Sequence, residues 1–228
     1  MKILAIETAT DACSVALSVE SRMVDRQTCE PRVHAERVLQ MVRDCLEEAD
    51  LSLGSLDALA FGRGPGSFTG VRIAAGIVQG LALGANLPVV PVSTLAGYAV
   101  AVWRKNNARQ VAVAVDARMD ECYWGCFRIS EAGVASSIGK EMIAKPGAVP
   151  PPREGDWVGV GSGWQAFPEL RSAMPAVDVR SASILPMARD IVPTAIRQFE
   201  RGEAVPAELA LPVYLREKVA WQGGSSKK

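Results

Sequence analysis

Residues 3–19, ILAIETATDACSVALSV, read as a strand, a tight turn and a second strand. The apolar run 3–6 ends in an acid, Glu7, the turn-prone stretch 8–11 follows, and 13–19 alternates apolar and polar. Residues 111–129, VAVAVDARMDECYWGCFRI, repeat that design around Asp116. A constant offset of 109 residues pairs Ala5 with Ala114, Glu7 with Asp116, Asp11 with Asp120 and Cys13 with Cys122. Two such copies nearly fill the 228-residue chain. The economical reading is an α/β protein of two related halves, 1–104 and 105–228, each opening with an acid-tipped hairpin.

Composition narrows the function. With 25 basic and 25 acidic side chains the formal net charge is zero, which leaves no footprint for gripping nucleic acid unaided. Histidine occurs once, at His34, so a two-histidine metal site is excluded and a Ser-His-Asp triad has one candidate base. Val38 stands where a second ligand on the same helix face would have to come, so His34 reads as a surface or capping residue. The five cysteines, at 13, 29, 45, 122 and 126, form no CxxC pair and read as small buried hydrophobes in a reducing compartment. The N-terminus lacks the apolar core of a signal peptide, and cytoplasm is the expected address.

Between the hairpins, Val38, Met41, Val42, Cys45, Leu46 and Ala49 recur at helical spacing, which predicts an amphipathic helix over 36–49. A strand over 56–61, a helix over 69–83, a strand over 89–92 and a helix over 93–103 capped by Ser93 and Thr94 follow. The uncharged run 73–103 is long enough to suggest a membrane span, but Gln79, Asn86, Pro88 and Pro91 break it, so no span is expected. Residues 104–110 read as the joint between halves. Residues 145–154 carry four of the fourteen prolines and read as a loop. A strand over 157–160, a helix over 186–201 bent or tightened at Pro193, and a frayed tail at 223–228 complete the chain.

The densest signal is FGRGPGSFTGVR, residues 61–72, with seven of the twenty glycines lying between Gly62 and Gly84. A glycine-rich turn entering a helix is a ready anion site, yet neither GxxxxGK[ST] nor GxGxxG fits in any register. Glu7, Thr8 and Asp116 occupy nucleotide-type positions at strand ends, where opposed acids hold a divalent cation in phosphoryl-transfer clefts. The turns after the two acids contain no glycine, so these positions read either as degenerate nucleotide-type positions or as acids that merely end their strands and hydrogen-bond the turn. Gly159, Gly161 and Gly163 form a second, weaker glycine-rich turn of nucleotide-contact type.

On the 69–83 helix, Ile73, Ala74, Ile77, Val78 and Leu81 cover a sheet, while the opposite side holds Ala75, Ala82 and Leu83 with Arg72 and Gln79 as its polar groups. Gly76, Gly80 and Gly84 make a groove there at spacing four. Helix glycine costs roughly 1 kcal/mol against alanine, so the row points to close backbone approach by another subunit. The alternative filler is the chain's own 93–103 helix. The expected interface is Arg72, Gly76, Gln79, Gly80 and Leu83, with Arg37 and Met41 on the neighbouring helix.

ILAIETAT (3–10), FGRGPGSFTGVRIAAGIVQGLALG (61–84), VSTLAG (92–97), VDARMDECYW (115–124), GSGWQAF (161–167) and PVYLR (212–216) together resemble the TsaB family, bacterial accessory proteins of tRNA threonylcarbamoyladenosine synthesis. The resemblance implies an actin-like ATPase (ASKHA) fold of two RNase H-like halves. It also implies a noncatalytic subunit without cofactor or metal. Its expected partners are TsaD in a heterodimer, the P-loop ATPase TsaE in a larger complex, and a second copy of itself when alone. That assembly transfers threonylcarbamoyl from its adenylate to the adenosine beside the anticodon, and tRNA is met only through the complex. The catalytic relative TsaD carries HxxxH on its first helix, where this chain has His34 and Val38. The protease label attached to the family would need His34 beside a nucleophile, and none is identifiable. The competing class is an active actin-like ATPase or small-molecule kinase, which would use Glu7 and Asp116 on magnesium.

Overall fold

The computed structural model describes residues 1–30, 33–181 and 183–216, with backbone alone at 180 and 181. The expected tail at 223–228 lies outside the described residues. The first half comprises β1 (Lys2–Glu7), β2 (Cys13–Val19), β3 (Arg22–Thr28), α1 (His34–Glu48), β4 (Ala58–Gly62), α2 (Phe68–Ala85) and β5 (Val89–Val92). Then come α3 (Thr94–Asn106), β6 (Gln110–Asp116), β7 (Cys122–Ile129), β8 (Ala135–Ser137), β9 (Met142–Ala144) and β10 (Val158–Val160). The chain continues through α4 (Gly163–Ala166), α5 (Pro168–Ala173), β11 (Asp178–Ser181) and α6 (Ala188–Glu200).

The duplication is real at the level of topology. The first sheet has the order β3-β2-β1-β4-β5 and the second β11-β10-β6-β7-β8, with β9 also on β7. In each, an antiparallel three-strand meander adjoins two parallel strands. This is the actin-like arrangement of two RNase H-like halves. The 109-residue offset does not survive, however. Ile3 and Ala5 face inward against α6, and Glu7 follows on that face, whereas Ala112 and Ala114 face outward toward Trp164 and Asp116 follows them. A one-residue slip moves a strand's side chains to the other face, so Glu7 and Asp116 are not equivalent. The hairpins differ too, since Glu7 pairs Ser14 whereas Asp116 pairs Cys122.

The helices following β5 and β11 are exchanged. Leu95, Ala99 and Val102 of α3 pack on Val111, Val113 and Phe127 of the second sheet. Ala188, Ile191 and Ala195 of α6 pack on Ile3, Ala5, Ala60 and Val90 of the first. The two helices form one central layer, tied by Arg104 Nε to the buried Asp190 carboxylate at 2.8 Å. The 104/105 division therefore falls inside α3. Of the expected joint 104–110, residues 104–106 still belong to α3, which closes on Asn107 in the left-handed region, and Gln110 already opens β6.

Outward from the first sheet, α1 and α2 cover Leu4, Ile6, Leu59 and Phe61 through Val38, Val42, Ala74 and Val78. The run 73–103 resolves into helix, strand and helix as expected. α2 by itself is long and apolar enough to cross a membrane by length and composition, but here one face lies on β4. Ser93 caps α3, its hydroxyl accepting from the amides of Leu95 and Ala96. Cys13, Cys45, Cys122 and Cys126 are buried, while Cys29 is exposed. Strand β3 escaped the sequence reading because it is an edge strand rich in charge, which blunts the pattern that identifies strands.

Candidate functional site

Glu7 sits at the inner end of β1 with 0% exposure. Its Oε1 accepts the Ala9 amide at 2.7 Å and its Oε2 the Thr94 hydroxyl at 3.0 Å. Thr94 in turn accepts the Gly64 amide and donates its own amide to the Gly64 carbonyl. A methyl on Gly62 would overlap the Glu7 carboxyl. The acid thus pins the β1 end to the loop after β4 and to the head of α3. Burial pushes the Glu7 carboxyl up to about 7, against the pull of the Ala9, Thr94 and Thr8 hydrogen bonds; the Asp190 charge adds to the rise. Thr8 is buried as well, its hydroxyl donating to the Gly70 carbonyl at 2.7 Å.

A cleft of about 630 Å³ lies between the halves, lined by Thr10, Asp11, Ser67, Asp116, Arg118, Tyr123 and Arg216 among others. Of the three nucleotide-type positions only Asp116 reaches it. Glu7 takes the alternative role, a strand-end acid that hydrogen-bonds its own turn, and both Glu7 and Thr8 point into the packed junction of β1, α2 and α3 and away from the opening. Asp116 is itself engaged: Oδ1 accepts the Arg118 amide at 2.8 Å, and Oδ2 lies 3.6 Å from the Arg118 guanidinium. Methyls on Gly161 or Gly163 would crowd the Ala114 backbone, so this glycine turn serves close packing on β6. His34 Nε2 lies 3.1 Å from the Thr10 carbonyl. Among the described residues no three His, Cys, Asp or Glu side chains gather as a metal site.

The turn beyond Asp116 places Arg118, Met119 and Asp120 at φ of 63°, 58° and 56°, three successive non-glycine residues in the left-handed region. Arg216 holds that turn. Its guanidinium donates to the Ala117 and Arg118 carbonyls and pairs with Glu121 at 2.6 Å. Arg118, Tyr123 and Arg216 were missed as site residues: they lay within the VDARMDECYW and PVYLR motifs, but no spacing rule brings the two motifs together.

The second candidate surface is the outer face of α2. Arg72, Gly76, Gly80, Leu83 and Gly84 are exposed along it, Leu83 at 68%, and Phe68 at its head is 60% exposed. No heavy atom lies within 4 Å of a methyl built on Gly76, Gly80 or Gly84, so α3 does not fill the groove. Arg37 is exposed on α1, 4.0 Å from Glu30. Two expected interface residues are corrected. Met41 turns into the core under α1, and Gln79 is half-buried, its amide donating to the Ala210 carbonyl at 3.2 Å. Ala75 and Ala82, read as outer-face residues, are buried in the same core as Ala207 and Ala210, which flank α2.

Residues 28–221 match the family described as TsaD: tRNA N6-adenosine threonylcarbamoyltransferase. The Escherichia coli (strain K12) tRNA threonylcarbamoyladenosine biosynthesis protein TsaB is 48% identical over 225 residues, 97% of either chain. The chain belongs to the TsaB family. Its Haemophilus influenzae TsaB relative is 36% identical over 233 residues, covering 97% of this chain and 96% of that one. The solved structure of YeaZ from Pseudomonas aeruginosa superposes with a TM-score of 0.87 at 49% identity, covering 94% of this chain and 99% of that one. In this TsaB-family chain the glycine-rich block 61–84 thus does two jobs: Gly62 and Gly70 admit Glu7 and Thr8 against the backbone, and Gly76 and Gly80 leave a helix face bare.

Proposed function

We propose that the chain is a noncatalytic subunit required for threonylcarbamoyl transfer to the adenosine beside the tRNA anticodon, docking on TsaD through α2 and joined by TsaE in a larger complex. Its role in tRNA threonylcarbamoyladenosine biosynthesis follows from its TsaB-family membership. The observation that carries the rest is the bare outer face of α2, where three glycines stand open beside exposed Leu83 and Phe68. A helix apolar on both sides calls for a cover on each, and the described residues supply only one. The same face serves a second copy of the chain when TsaD is absent, and the complex works in the cytoplasm.

The noncatalytic reading rests on the two acids. Glu7 is sealed from solvent, and Asp116 is answered by Arg118. A divalent cation needs several open oxygen ligands around it. Purified protein is therefore expected to give no magnesium-dependent ATP hydrolysis above a heat-treated blank. Turnover that falls in Asp116→Asn would establish the ATPase or kinase reading in its place.

Reconstitution tests the role directly. With TsaD, TsaE, tRNA and the threonylcarbamoyl adenylate supplied, modified adenosine is expected by nucleoside mass analysis only when this chain is added. Gly80→Leu is expected to stay folded by circular dichroism, since nothing surrounds that position, and to give neither complex nor modification. Full modification without the chain defeats the proposal, as does a Gly80→Leu variant that performs like wild type.

A further inference from the structure

Arg72 is the one charged residue of α2. Its guanidinium carbon lies 3.3 Å from the centre of the Phe68 ring and 5.3 Å from that of Tyr214, and no described carboxylate pairs with it. The two rings stand 6.0 Å apart. Beside them opens a concavity of about 610 Å³ whose walls include Phe68, Val71, Tyr123 and Tyr214, with no acid among its lining residues. A second cation, Arg216, reaches the same pocket, but Glu121 takes its charge at 2.6 Å. Tyr214 is held in place from both sides: the Val213 amide donates to the Arg63 carbonyl at 2.8 Å, and Arg216 grips the turn after β6. Among the described residues, one fixed and exposed cation without a carboxylate partner therefore sits in an aromatic pocket at the head of the bare face of α2.

We propose that this pocket receives a carboxylate side chain of the protein that docks on α2, and that Arg72 thereby selects TsaD over a second copy of the chain. The inference rests on the docking reading given above. Arg72, Gly76 and Gly80 follow one another at spacing four, so they share a face, and a helix pressed into the glycine groove passes the guanidinium one turn later. A carboxylate arriving there meets a planar donor already oriented by its stack on Phe68 and forms paired charge-assisted hydrogen bonds at little ordering cost. The aromatic walls exclude water and strengthen the pair. A second copy has no such group to offer from its own α2, which carries no acid, so α2 against α2 leaves Arg72 without a carboxylate. The exposed apolar Phe68 beside Arg72, and the lack of another cation on α2, favour a protein carboxylate over a nucleic-acid phosphate.

The test measures TsaD affinity by calorimetry and self-association by sedimentation, at low and at moderate salt, for wild type, Arg72→Met, Arg72→Lys and Gly80→Leu. Methionine keeps the apolar stem on Phe68 and removes the charge. Arg72→Met is expected to weaken TsaD binding by about 10- to 100-fold and to flatten its salt dependence. Self-association through α2 against α2 should change by less than about threefold, because that pairing breaks no carboxylate contact. Arg72→Lys should fall between, since a point charge replaces a bidentate fork. If Arg72→Met binds TsaD like wild type while Gly80→Leu does not bind, the carboxylate inference is overturned and the docking reading stands. If Gly80→Leu also binds like wild type, the docking reading itself fails. Unchanged TsaD binding by Arg72→Met with loss of tRNA affinity in the complex would reassign the pocket to a phosphate, and would likewise overturn the inference. Should Arg72→Met not fold, Arg72→Gln carries the same expectations.

Discussion

Alanine at Gly70 is expected to cost about 3 kcal/mol of stability, whereas alanine at Gly76 or Gly80, on the same helix, is expected to add up to about 1 kcal/mol. A methyl at position 70 overlaps the Thr8 carbonyl oxygen and crowds the Ala9 backbone, so main chain, not a rotatable side chain, would have to move. That movement also strains the hydrogen bond from the Thr8 hydroxyl to the Gly70 carbonyl. At 76 and 80 a methyl meets nothing within 4 Å, and only the gain in helix propensity remains. Urea denaturation of the three variants reads both signs. The stabilised pair carries a second expectation, that filling the groove weakens TsaD binding while the isolated chain becomes more stable. Destabilisation by Gly80→Ala comparable to that by Gly70→Ala would mean that the groove is covered within the chain.

Glu7→Gln is expected to gain up to roughly 3 kcal/mol of stability over wild type above pH 8 and to gain little near pH 5. Burial raises the Glu7 carboxyl from its ordinary 4.5 to about 7 in the folded protein. The folded state therefore holds a proton that the unfolded chain has released between those values. The stability contributed by neutral Glu7 is whole below about 4.5 and is lost as pH rises through about 7. Glutamine keeps the carbonyl that accepts from Ala9 and cannot ionise. Burial also raises Asp190 and Glu141, which tilt the profile in the same direction, so the difference between wild type and variant isolates Glu7. Parallel pH profiles for the two proteins would show that Glu7 does not titrate in this range.

Local pattern was enough for most elements, because hairpins, caps and amphipathic periods are written in adjacent residues. Ser93 announced its helix, and 13–19 and 122–129 are strands over the residues expected. The duplication was inferred correctly from a wrong alignment. Ala5 and Ala114 match by number, yet one faces α6 and the other Trp164, and sequence identity across a gapless offset carries no information about which side of a pleat a residue takes. The site was less legible. Glu7 as a strand-end acid was readable, but its sealing depends on Gly62 and Thr94, far along the chain. The four glycines from 70 to 84 look alike in sequence, and only the Thr8 backbone separates the first from the rest. Met41 and Gln79 failed as surface residues because neighbours on adjacent elements decide which flank of a helix is covered.

The exchange of α3 and α6 sets an order of events during synthesis. Once β5 has left the ribosome the first sheet can close, but its inner face, with Ile3, Ala5, Ala60 and Val90, stays uncovered until α6 emerges. Roughly a hundred residues separate the two, which at translation rates of about 5 to 20 residues per second means some 5 to 20 seconds of exposed apolar strand. At the start of that interval α3 has no sheet to rest on either, because β6 and β7 follow it. Neither half completes its own core, so the nascent N-terminal half is expected to keep apolar strand exposed until α6 emerges.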